Sequence, residues 1–231
     1  KKKFLPKKIK SYYLTNINYF TIINLLSYTL LVINMKPIIG IIYKNSLSNS
    51  SHKINYVYED LSSSVKKSGG IPIGISNKEV LSLMDICNGF IFQGGDEIDI
   101  SDILSLKEII NLNKPVLCIC LGMQELATLY QGTLYSIPNH HHKGYHKIII
   151  KENTLLYKIL KQKEILVNSR HHDAVKQTNL LVSSISQDNI IESIEVPNKA
   201  FALGLQWHPE SIYTTNIYSR KIFSYFINAC K

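Results

Sequence analysis

The chain has 231 residues, 45% of them hydrophobic, with a net charge of +9 and four cysteines. That length and apolar content suit one α/β domain with a sizeable buried core and exclude a disordered chain. Six lysines and no acid fall in residues 1–34, leaving only three of the nine net charges to residues 35–231, so the basic pI is no argument for a nucleic-acid partner.

Lys1–Lys10 is a basic stretch, and Tyr19–Asn34 is mostly apolar, interrupted by Asn24 and Ser27. A basic run before an apolar one has the order of a leader or anchor. It is short for a membrane span, which needs about 20 apolar residues, and no small-x-small cleavage site precedes Met35. The chain begins with Lys, and a regular strand pattern starts directly after Met35. The expectation is that residues 1–34 are an upstream extension or a basic, apolar leader, that Met35 is the start, and that the catalytic domain is 35–231. No stable membrane association is expected.

From Pro37 onward strands and helices alternate. Strands are predicted at Pro37–Tyr43, Ile71–Ile75, Phe90–Gln93 and Val116–Ile119. Helices are predicted at Ile54–Lys67, Lys78–Cys87 and Ile103–Leu112, and again after Cys120. Right-handed crossovers then give a doubly wound, mostly parallel central sheet with flanking helices. The later half is richer in short β-like runs: His146–Lys151, Ile165–Asn168, Leu181–Ile185, Ile190–Val196 and Phe201–Gln206. Turn residues at Asp188-Asn189 and Pro197-Asn198 predict antiparallel hairpins there. One short helix is expected at Leu155–Leu160 and a closing one over Ser211–Cys230, with no second folded domain.

Three segments carry candidate chemistry. Lys114–Gln124 reads as a buried strand, a Gly-containing turn and a helix start, so Cys120 sits at a strand-to-helix elbow. Such elbows lie at the carboxyl end of a parallel sheet, where ligands bind, and the helix N-terminus favours a thiolate. A buried apolar cysteine is the plain alternative. Ala202–Glu210 is a late strand delivering His208 and, two residues on, Glu210. An imidazole can take a thiol proton and return it to a leaving amine, while the carboxylate orients the ring. Gly89–Asp96 is an apolar strand running into Gly94-Gly95, whose backbone can approach a developing oxyanion closely.

Cys87, Cys118, Cys120 and Cys230 show neither a disulfide framework nor zinc-site spacing. A reducing cytoplasm fits a thiolate nucleophile. His140–His142 and His146 invite a metal reading, but zinc ligands sit at rigid, spaced positions, and this run reads as a loop before a strand. No metal is expected.

Together, Cys120–Gln124, Leu205–Glu210 and the run Val167–Val175 (VNSRHHDAV) resemble the class I glutamine amidotransferase-like superfamily, and within it the gamma-glutamyl peptidase branch that includes gamma-glutamyl-gamma-aminobutyrate hydrolases. The resemblance covers the chain from Met35 to the C-terminal helix and implies a flavodoxin-like fold. It implies Cys120 as nucleophile, His208 as base and acid, and Glu210 as orienter. The N–H groups of Leu121 and of the Gly94-Gly95 loop would bind the oxyanion, and Gln124, Ser169 and His171 would line the pocket for the glutamyl end. It also implies a small-molecule gamma-glutamyl substrate and no metal or organic cofactor.

Two departures stand out. Cys118 replaces the Gly or Ala usual two residues before the nucleophile; its side chain is expected to share a face with Cys120 under the elbow, where a small sulfur is tolerated. Asp96–Lys114 is short, where many gamma-glutamyl hydrolases carry an insertion at the mouth of the site. Two active readings follow: a stand-alone hydrolase of gamma-glutamyl amides, and a glutaminase subunit supplying ammonia to a separate synthetase. A degenerate binding module is the third, disfavoured by the intact Cys-His-Glu set. Either active form is compatible with a homodimer.

Overall fold

Ile38–Ile42 (β1) opens the described part of the chain, which in this computed structural model comprises residues 35–47, 50–137 and 144–231. The expectations for residues 1–34 and for His140–His142 lie outside those residues. Pro37–Lys231 forms one compact unit.

After β1 comes an antiparallel pair, Lys44–Leu47 (β2) and Lys53–Tyr56 (β3). A helix had been expected from Ile54. The run Ile54-Asn55-Tyr56-Val57-Tyr58 is β-branched and aromatic, which suits a strand, and the helix begins only at Glu59 (α1, Glu59–Lys67). Ile71–Ile75 (β4) follows. The helix expected over Lys78–Cys87 is instead two 3₁₀ turns at Asn77–Glu79 and Leu81–Leu83. Few positions there reach the core: Val80, Met84 and Cys87 are buried, whereas Leu81 and Ile86 are exposed.

Gly89–Phe92 (β5), Ile100–Asn111 (α2) and Val116–Ile119 (β6) follow. α2 starts three residues earlier than expected because the Asp99 side chain accepts from Ser101 N–H and caps the first turn. Leu121–Leu129 (α3) leads to Thr133–Ser136 (β7), Gly144–Ile150 (β8), Leu155–Leu160 (α4) and Glu164–Ser169 (β9). Asp173–Gln177 (β10) pairs antiparallel with β7 in a small separate sheet that went unpredicted. Leu181–Ser186 (β11), Ile191–Glu195 (β12) and Ala202–Leu205 (β13) complete the strands. The closing helix is shorter than expected. A 3₁₀ turn occupies Pro209–Ile212, and Ile217–Ala229 (α5) is capped by Asn216, whose side-chain Oδ1 accepts from Tyr218 and Ser219 N–H. Such a cap stabilises a helix by about 1 kcal/mol.

The nine-stranded sheet runs β4-β1-β5-β6-β13-β12-β11-β8-β9. Its first five strands are parallel, and the rest are added antiparallel. The expected mostly parallel, doubly wound sheet with an antiparallel extension is therefore the observed architecture. Alternation along β5 and β6 divides their side chains between two cores. Ile91, Leu117 and Ile119 pack with Leu205, Trp207 and Phe223, while Phe90, Phe92, Val116 and Cys118 pack with Met123 and Leu126. Among the described residues no helix is long and apolar enough to cross a membrane.

Candidate active site

β6 ends at Ile119, and Cys120 turns the chain with φ 52° and ψ −105°. Left-handed φ is costly for a residue with a Cβ, and such strain concentrates at functional sites. The turn is anchored by Cys120 N–H donating to Leu205 O at 2.7 Å. Gly122 lies so close to β5 that an added Cβ would strike the backbone oxygen of Phe92, so a glycine there lets the start of α3 pack against the strand. The same turn moves Cys120 out of the pattern of β6. Cys118 packs in the Phe90–Met123 core and Cys120 in the opposite one, so Cys118 does not sit under the elbow as expected. Its register partner is Gly204, where a Cβ would press on Met123 and Ile194 of the same core.

β13 delivers His208 just beyond Trp207, where Pro209 opens the 3₁₀ turn. His208 Nδ1 lies 2.6 Å from Glu210 Oε1, and its backbone N–H donates to Asn168 Oδ1 at 3.3 Å. Burial works against a charged ring, but hydrogen bonds with Cys120 and Glu210 outweigh it and raise the His208 pKa to about 10. A thiol, an imidazole and a carboxylate thus form one hydrogen-bonded series, able to carry out nucleophilic attack with proton transfer.

Gly94 and Gly95 close the other side. A Cβ on Gly94 would sit 2.9 Å from His208 Cε1 and 3.6 Å from Cys120 Cβ. One on Gly95 would sit 2.9 Å from Leu121 Cδ2. The loop, Leu121 and Cys120 are therefore neighbours, and the first N–H groups of α3 have no carbonyl four residues back to bond. Cys120, His208, Glu210 and Gly95 line a cavity of about 230 Å³ together with Tyr58, Asp60, Asp96, Arg170 and Ser211.

The three pocket residues expected from the resemblance are not among those lining this cavity. Gln124 is buried and donates to Asp173 O at 2.9 Å. His171 is buried with Nδ1 3.0 Å from the same carbonyl. Ser169 lines an adjoining cavity of about 470 Å³ with Tyr145, Asn168 and His172, and the two cavities share Arg170 and Ser211. His146, at the start of β8, is 3.1 Å from Glu192. Among the described residues no group of three or more His, Cys, Asp or Glu could hold a metal ion.

Sequence reasoning passed over Gln206, whose Nε2 donates to Cys120 Sγ at 3.6 Å, although it stands inside the run that carries His208. It also missed a buried ion cluster behind the glycine loop. Lys44 Nζ is 2.5 Å from Asp102 Oδ2 and 3.0 Å from Glu125 Oε1, and Gly95 packs on its side chain. Residues 44, 102 and 125 share no local pattern, so nothing in the linear order announced that grouping.

Residues 97–210 match the family model Peptidase C26. The chain is 27% identical to the gamma-glutamyl-gamma-aminobutyrate hydrolase PuuD of Escherichia coli over 84% of this chain and 94% of that protein. It is also 27% identical to protein NtpR of Enterococcus hirae over 84% of this chain and 99% of that protein. A glutamine amidotransferase of Thermotoga maritima shares the fold with a TM-score of 0.65 at 12% identity, over 85% of this chain and 99% of that one. The segment that carries Cys120, His208 and Glu210 is thus similar to the Peptidase C26 family, and the relatives named for gamma-glutamyl hydrolysis align along most of the chain.

Proposed function

We propose that the protein hydrolyses gamma-glutamyl amide bonds through a glutamyl thioester on Cys120. The reading is carried by the Cys120–His208–Glu210 series lining the cavity. Cys120 attacks the side-chain amide carbonyl. The N–H groups of Leu121 and the Gly94-Gly95 loop receive the oxyanion, a contribution of typically several kcal/mol where donors are preorganised. His208 protonates the departing amine and then takes a proton from the water that cleaves the thioester. Glu210 holds the imidazole by Nδ1 and stabilises its cation.

The substrate class comes from the PuuD relative, whose name states a gamma-glutamyl amide. The adjoining cavity favours a substituted amide over glutamine itself, because it offers room for an amine portion next to Arg170 and Ser211. A glutaminase subunit feeding a separate synthetase is the second reading, favoured by the shared fold with a glutamine amidotransferase. Residues 35–231 form the catalytic domain in this proposal, and a reducing cytoplasm keeps the thiolate available.

The test is glutamate release from a panel of gamma-glutamyl amides, glutamine among them, with Cys120→Ala as the blank. Turnover of substituted amides well above glutamine, abolished in Cys120→Ala, is the expected result. Activity on glutamine alone would favour the synthetase-coupled reading. Residual turnover in Cys120→Ala would remove the thioester.

A further inference from the structure

Gln206 is fully buried, yet its side chain is aimed at the reacting sulfur. A carboxamide has one end that donates and one that accepts, so its use depends on which way round it is held. The surroundings decide this from the far end. The backbone carbonyl of Asp173 can only accept, so the Gln124 end facing it at 2.9 Å is the NH₂ group. The same carbonyl accepts from His171 Nδ1 at 3.0 Å, which requires a proton on that nitrogen. The Gln124 NH₂ also reaches Gln206 at 3.4 Å and therefore faces its oxygen. The Gln206 NH₂ is left pointing at Cys120 Sγ. Gln206 N–H donates to Glu192 O at 2.8 Å, which secures the backbone from which the amide projects.

Resting on the reading of Cys120 as nucleophile, we propose that Gln206 donates a hydrogen bond to the Cys120 thiolate and that Gln124 is a positioning residue that holds this amide the right way round. The two glutamines and the Asp173 carbonyl form a polarised relay ending on the sulfur. His208 approaches that sulfur as an acid and base, whereas a carboxamide cannot take the proton away. Its N–H bond to sulfur strengthens when the sulfur is charged, more so in a site shielded from water.

The experiment follows alkylation of Cys120 by iodoacetamide in the full chain from pH 5 to 10, read by mass spectrometry of the Cys120 peptide, alongside steady-state kinetics. In Gln206→Leu the alkylation profile moves to higher pH by about one unit, and kcat falls roughly tenfold with little change in KM. Gln124→Leu moves the profile the same way by less, because the Gln206 amide is then free to rotate. The double variant is no worse than Gln206→Leu alone. Should Gln206→Leu fail to fold, Gln206→Glu, which keeps the volume and puts an acid against the sulfur, shifts the profile upward further. An unmoved profile in a folded Gln206 variant overturns the proposal, as does a Gln124→Leu enzyme whose KM rises while its profile stays in place. Turnover surviving in Cys120→Ala overturns instead the nucleophile reading on which the relay depends.

Discussion

Gly94 stands so close to His208 that a single added methyl group would lie 2.9 Å from the ring carbon Cε1. The space is limited on one side by Cys120 and on the other by the bond to Glu210, so the imidazole has nowhere good to go. Gly94→Ala is expected to displace the ring and lower kcat/KM on the order of a hundredfold, as small misplacements of reacting groups do. The circular dichroism of the variant should match that of the parent. Gly95→Ala presses on the flexible ends of Leu121 and Lys44 and should cost less. Equal losses at the two positions would contradict this ordering.

The raised pKa of His208 has two measurable consequences. Removing the sulfur in Cys120→Ala deletes one of the contacts that hold the proton on the ring, so the imidazole should titrate below its value of about 10, which NMR of the ring can follow. The second consequence concerns stability. A ring whose pKa is about 10 in the folded protein and about 6.5 unfolded binds its proton more tightly when folded. Its contribution is therefore fully present below pH 6.5 and is lost as pH rises towards 10. Chemical denaturation at pH 6 and pH 9 should show a larger decline for the parent protein than for His208→Asn. His208→Asn should also slow turnover by hundreds-fold or more.

What could be read from the linear order was whatever local pattern encodes. Val116–Ile119, Leu155–Leu160 and the elbow at Cys120 are defined by contiguous residues and were predicted with their boundaries nearly intact. Cys120, His208 and Glu210, which the structure brings together, each lie in a recognisable run, so their grouping could be proposed from the linear order. Ile54–Tyr58 was misread because helix and strand patterns overlap in short apolar runs, and only pairing with β2 decides the outcome. The partners of Gln124 were hidden for a different reason. Its residue type fits a substrate contact, but β10, an element without a strong signature, supplies the carbonyl that claims its amide.

Glu125 shows a charge imbalance that sequence could not reveal. It and Asp102 share the single ammonium of Lys44, and Glu125 is fully buried. Burial first, and then the repulsion of Asp102, raise its pKa to about 8 against the pull of Lys44. The folded protein thus keeps a proton that the unfolded chain releases near pH 4.5, and stability is lost as pH rises from there through 8. Glu125→Gln removes that ionisation while keeping an oxygen for Lys44. The variant should gain in melting temperature relative to the parent as pH increases from 5 to 9. A constant difference between the two across that range would show that Glu125 does not titrate there.

Arg170 is an exposed cation bordering both the Cys120 cavity and its neighbour. It lies between Ser169 and the buried His171, so its backbone is held by the end of β9 while the guanidinium reaches the cavities. A guanidinium there recognises a carboxylate by paired N–H donors, a charge-assisted contact weakened by its exposure to solvent. If the amine portion of the substrate occupies the second cavity, Arg170→Gln should raise KM about tenfold for gamma-glutamyl amides whose amine bears a carboxylate. Amides of uncharged amines, and glutamine, should be little affected. Added salt should narrow the gap for the parent enzyme but not for the variant. An equal rise for every substrate would instead assign Arg170 to the carboxylate of the glutamyl end, which all of them share, and would leave the second cavity without a role in choosing the leaving amine.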